Sequence, residues 1–192
     1  PPAAFGQAAT MHLTPMMFDG THFAGKPGIT QAVPFEGDGV LSPSTKLVVS
    51  RFGNETGQLG YVLRRVDATP SGNSYTISTP EIARYCVQGA KPAISFDERY
   101  MVVHHYVGPA DYAEYGYASA SDPAFQQMLA KGTSNIFLVD LTTGAVTRVT
   151  TMHAGQYALY PHFRSDGWFY FLVRDTNTGQ EYAMASDAAL VN

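Results

Sequence analysis

Short apolar runs alternate along this chain with clusters of Gly, Asp, Asn, Ser and Thr, a pattern of strands and tight turns. Residues 159–185 carry it most clearly. Arg164-Ser165-Asp166-Gly167 and Asp175-Thr176-Asn177-Thr178-Gly179 are turn signatures, because Asp can bond the backbone two residues on and Gly supplies positive φ at little steric cost. The unbroken run Trp168-Phe169-Tyr170-Phe171-Leu172-Val173 between them predicts a strand buried on both faces. The same reasoning predicts strands near residues 47–51, 60–66, 100–105, 136–140, 146–149 and 169–174.

The pattern repeats. Residues 161–175 lie over 92–106 without a gap, with Pro161 on Pro92, Phe163 on Ile94 and Asp166 on Asp97. A weaker third copy occupies residues 40–50, with Leu41 on Ile94, Ser42 on Ser95, and Ser44 in place of the turn Asp. Thr56-Gly57-Gln58 before Tyr61 parallels Thr178-Gly179-Gln180 before Tyr182. Repeats built from a few short strands are the mark of propeller blades.

The segments beginning Pro161-His162-Phe163-Arg164-Ser165-Asp166-Gly167 and Pro92-Ala93-Ile94-Ser95-Phe96-Asp97 resemble the repeat of TolB-like, or PD40-type, β-propellers, over about residues 35–185. The resemblance implies an all-β fold of β-propeller-like blades. Three repeats are recognisable and closed propellers need about 4 to 8 blades, so an incomplete or partner-completed propeller is expected. Residues 1–34 are expected to form an extended N-terminal arm before blades at 35–192, with a strand at 29–33 that could close the last blade. Residues 73–78 read as the outer strand of the first blade and 80–89 as a connection.

An insertion at residues 107–134 interrupts the second repeat and carries the one short helix. Asp122 is its N-cap, Pro123 its first residue, Phe125, Met128 and Leu129 its apolar side, and Lys131 with Gly132 its stop. Tyr112, Tyr115 and Tyr117 precede it among acids. Long loops on rigid sheets often carry function, so these tyrosines and Phe125 are the candidate binding residues.

Composition narrows the function classes. A chain of 192 residues supports one core more comfortably than two. Charged residues make up 15%, against roughly 25% in typical domains, which suits a strand-and-turn protein. The net charge of -4 with scattered Lys and Arg gives no basic stripe for nucleic acid. No apolar run approaches the ~18 residues of a membrane-spanning helix. The start at Pro1-Pro2-Ala3-Ala4 reads as a mature or trimmed product, and a periplasmic or extracellular location is expected.

Candidate chemistry is sparse. Cys86 is the single cysteine and reads as a small apolar residue. His104 and His105 are adjacent on a strand and point to opposite faces, so they do not share a metal. His153 and His162 are weak metal candidates lacking a third ligand. Asp97 and Asp166 are turn acids at one repeat position, and the segment from Asp175 is a hairpin turn rather than a calcium loop. No nucleophile elbow, Walker loop, zincin motif or Cys-x-x-Cys pair is found, and no cofactor is implied. The expected function is a noncatalytic exported propeller module acting as an interaction subunit or scaffold, with a protein partner or second copy covering the open blade edges. The alternatives are the propeller portion of a larger, peptidase-associated hydrolase and a glycan or small-ligand binder.

Overall fold

A computed structural model describes residues 5–191. The chain forms two compact units, Pro1–Gln88 and Gly89–Asn192. It is all-β and propeller-like, with strands grouped into open, blade-like antiparallel sheets. No described helix is long and apolar enough to cross a membrane.

In the first unit β5 (Glu36–Leu41), β6 (Leu47–Gly53), β7 (Leu59–Arg65) and β10 (Glu81–Tyr85) form a four-stranded sheet in the order β10-β7-β6-β5. The fourth strand is thus Glu81–Tyr85, not residues 73–78. The latter fall in β9 (Ser74–Ser78), which closes on β8 (Asp67–Ser71) as a separate hairpin turning at Gly72. A register shift between Glu81 and Ala83 explains why β10 read as a connection, because a bulge breaks the alternation by which a strand is recognised. The expected arm also holds two small ladders, β1 (Thr10–Leu13) with β4 (Ile29–Ala32) and β2 (Met16–Phe18) with β3 (Phe23–Gly25). The strand expected at 29–33 is therefore formed, but its partner is β1.

In the second unit β11 (Ala90–Ile94), β12 (Tyr100–Tyr106), β13 (Ser134–Asp140) and β14 (Val146–Arg148) make one blade. Strands β15 (Gln156–Phe163), β16 (Phe169–Asp175) and β17 (Gln180–Ser186) make the next, which has no fourth strand among the described residues. A single parallel bridge, Ser134 to Tyr157, joins them. Helices α1 (Pro123–Lys131) and α2 (Ala188–Val191) complete the unit.

The repeat seen in the sequence is a repeat of backbone geometry. Each blade has a bulge between its first two strands, with a residue at positive φ at the equivalent place: Asp38 (46°), Lys91 (51°) and Tyr160 (52°). Each also has a turn with positive φ at Thr45 (62°), Glu98 (60°) or Gly167 (87°). The N–H groups of those residues donate to the carbonyls of Ser42, Ser95 and Arg164 at 2.8, 3.0 and 3.2 Å. The serines reinforce the turns, with Ser42 Oγ accepting from Leu47 N–H and Ser95 Oγ from Tyr100 N–H.

Only glycine occupies this left-handed region without cost, and a β-branched residue is strained there most. Thr45→Gly is therefore expected to stabilise the chain by up to about 1 kcal/mol despite glycine's greater unfolded-state entropy. Chemical denaturation measures this directly, and a destabilised variant would contradict it.

The core of the second unit lies between its blades, where Phe169, Phe171 and Val173 pack against Tyr100, Val102, Ile136 and Leu138. Strand β12 is buried on both faces over Met101, Val102 and Val103, and every residue of β13 is buried. Strand β16 is not, contrary to its sequence pattern. It alternates, with Trp168 and Tyr170 on the other side at 37% and 46% exposure.

Candidate functional site

The insertion folds on its own small centre. Asp122 accepts hydrogen bonds from the N–H groups of Ala124 (2.9 Å) and Phe125 (3.4 Å), which starts α1 after the extended Asp122 backbone. Gly132, at φ 74°, ends it by donating to the Met128 carbonyl at 2.8 Å. Phe125 is fully buried, with the Tyr117 ring 5.2 Å and the Tyr112 ring 6.4 Å from its own. Phe125 therefore supports the tyrosines and is not itself a contact residue, a correction to its expected place on the binding surface.

Tyr115 points at the sheet. Its hydroxyl accepts from Asn135 Nδ2 at 3.0 Å, and the Arg148 guanidinium lies 4.6 Å from its ring centre while donating to the Glu114 carbonyl. Burial pushes the Tyr115 hydroxyl up to about 12, with the Asn135 bond acting in the opposite direction. Asn135 is fully buried, and its Oδ1 accepts from Thr150 Oγ1 (2.9 Å) and the Met152 N–H (2.8 Å). One amide thus ties the insertion, β13 and the segment after β14 together. The three tyrosines are all half-buried, so each fastens the insertion and presents only part of its ring to solvent.

A second anchor joins the insertion to β12. His105 Nε2 lies 2.7 Å from Asp111 Oδ2, which also accepts from the Gly108 N–H at 2.7 Å. Burial alone would raise the Asp111 pKa, but the bonds from His105 and Gly108 and the proximity of His105 outweigh it and hold the carboxyl below its ordinary value. A depressed carboxyl stabilises the folded state above its unfolded-state pKa of about 3.9, and that contribution is lost as pH falls through the lower folded value. Amide protection in residues 109–131, taken relative to the intrinsic exchange rate at each pH, should therefore fall on acidification below about pH 4, and Asp111→Asn should lose this acid step. An unchanged acid profile in the variant would show that the anchor carries no stability.

A third set of bonds fixes the helix end to the following blade. Tyr157 Oη donates to the Lys131 carbonyl (2.8 Å), Gly155 N–H to the Gly132 carbonyl (2.7 Å), and Lys131 Nζ to Asn177 Oδ1 (3.2 Å). The buried hydroxyls of Thr133 and Ser134 donate to the carbonyls of Gln156 and Ala158, both at 2.7 Å.

The histidines do separate work. His104 is buried on the face opposite His105, accepts from the Tyr160 N–H at 3.4 Å, and has the rings of Tyr106 and Tyr160 set edge-on at 5.3 and 5.4 Å. His162 lies against Tyr170, with ring centres 5.7 Å apart. The His153 N–H donates to Gln156 Oε1. Neither belongs to a group of three or more His, Cys, Asp or Glu side chains able to hold a metal ion among the described residues. Asp175 accepts from the Asn177 N–H at 2.8 Å, and its carbonyl from the Gly179 N–H, as a hairpin turn requires.

The anchors Asn135, Asp111 and Arg148 were missed in the sequence, since nothing in a strand pattern marks a buried amide or joins a histidine to an acid beyond a loop. The other surface that stands out is the free side of the last blade. All residues of β17 but its last are exposed, including Tyr182 (45%) and Met184 (42%), and no strand pairs with its outer edge among the described residues.

No protein-family model matches the chain, and no curated protein matches it. Among solved structures it is similar to the β-propeller domain of the Trilobed protease from Pyrococcus furiosus, described as having an open velcro topology. That match has 10% identity and a TM-score of 0.37, and covers 79% of this chain and 42% of the other. The chain is also similar to TolB from Acinetobacter baumannii, at 10% identity and a TM-score of 0.26, covering 92% of this chain and 52% of the other. It thus spans about half the length of these structures.

Proposed function

We propose that this chain is a noncatalytic propeller module, exported to the periplasm or cell exterior as its repeat resemblance implies, that works by holding another polypeptide against its open blade. The observation that carries this reading is β17, a long strand with an unpaired edge and exposed side chains. Unpaired backbone donors and acceptors recruit a further strand, and main-chain bonds then give affinity while side-chain contacts give selectivity. The insertion, with Tyr112, Tyr115 and Tyr117 held by three sets of bonds, supplies a rigid second contact at the end of the same unit.

A photo-crosslinking residue at Tyr182, introduced in the source cells, tests the reading against a control at the exposed Asn73 in the β8–β9 turn. Adducts specific to position 182 are expected, and equal labelling at both positions would reject the module reading.

A further inference from the structure

We propose that the occupant of the β17 edge is a second copy of this chain, paired antiparallel about Ala183; the inference rests on the open-blade reading above and names its partner. The edges of the two large sheets differ in how they are protected. Strand β5 is bulged between Gly37 and Val40, β11 between Ala90 and Ala93, and β10 between Glu81 and Ala83 with Arg84 beside it. Strand β14 has only three residues. Bulges, charges and shortness are the devices that stop edges from pairing. Strand β17 has neither a bulge nor a short length, and its single charge, Glu181, is paired with Arg174 on the neighbouring strand. It runs seven residues, pairs with β16 without a register shift, and contains neither Pro nor Lys.

Its sequence is complementary to itself. A two-fold axis normal to the sheet preserves the faces, and centring it on Ala183 uses the whole strand. Gln180 then faces Ser186 of the second copy, Glu181 faces Ala185, Tyr182 faces Met184, and Ala183 faces itself. The one charge of the strand, Glu181, is held by Arg174 and meets no like charge. Tyr182 and Met184 are cross-strand partners of Val173 and Phe171, so they extend the buried face of β16 outward. In the pair each exposed tyrosine meets a thioether, twice by symmetry, a favourable sulfur–aromatic contact. Two open blades become one continuous sheet.

Light scattering on the full chain across a dilution series should give the mass of a dimer that dissociates on dilution. Tyr182→Lys and Met184→Lys alter exposed side chains and should give monomers whose thermal unfolding matches that of the parent chain diluted to its monomeric state. The register is read by Ala183→Cys in a Cys86→Ser background. Opposed residues have Cα atoms about 4.5–5.5 Å apart, within disulfide reach, so mild oxidation should crosslink this variant. Glu181→Cys should not crosslink, because its mate lies about 13 Å away along the strand.

A dimer that crosslinks at 181 and not at 183 would overturn the register, and a folded monomer at every concentration would overturn self-pairing. The crosslinker at Tyr182 then separates the two failures. Adducts with a different protein alone would leave the module reading standing without the second copy, and no specific adduct would remove both.

Discussion

Arg64→Met is expected to cost the first unit about 3–5 kcal/mol, because it leaves a carboxylate buried without its counter-charge. Arg64 and Glu36 are both buried, at 8% and 4% exposure. The guanidinium donates from Nε to Glu36 Oε2 at 3.3 Å, makes a second, close contact from Nη2 to Oε1, and donates from Nη1 to the Thr79 carbonyl. Glu81, 3.8 Å from Nη2, is a second carboxylate and cannot stand in for the lost cation, and Arg84 beside it is already engaged by Glu81. Glu36→Gln should also destabilise, through an Arg64 left with less than its charge requires. Pairing Arg64→Met with Glu36→Leu should recover most of the loss, because a buried ion pair often does little better than apolar residues of similar volume. For a unit of this size the single variant should lower the melting temperature by roughly 15–27 °C. A fall of only a few degrees would mean that water reaches the pair and screens it.

What was legible in the sequence depended on whether a feature was local. The turns at Asp97, Gly167 and Gly179 and the helix bounded by Asp122 and Gly132 are each specified within a few residues, and each forms where expected. Strand β10 was illegible because its bulge offsets Glu81 from Ala83. The run from Trp168 to Val173 misled for a different reason. Apolar sequence reports what a face is able to bury, while burial itself depends on a neighbour, and the face bearing Tyr170 stays partly exposed. Nor does composition show which way a tyrosine turns. Tyr112, Tyr115 and Tyr117 read alike as surface contacts, yet Tyr115 is directed at Asn135 and the other two at Phe125.

Phe125→Ala is the change expected to separate the insertion's packing from any contact it makes. The ring is wholly buried, and truncating a buried phenylalanine to alanine costs about 3–5 kcal/mol. The loss should fall on the insertion first, because Tyr112 and Tyr117 pack on that ring, whereas the interblade core rests on Phe169, Phe171 and Val173. Hydrogen exchange should therefore show lost protection across residues 109–131 while β12 and β13 retain theirs. Tyr115 should hold its place longer, since Asn135 and Arg148 grip it independently of Phe125. If the insertion is a working contact, this variant should lose partner binding as fully as deletion of residues 112–121, although Phe125 itself is out of any partner's reach. Binding that survives while the insertion is demonstrably loosened would assign the contact to the β17 side of the molecule and leave the tyrosines a purely structural role.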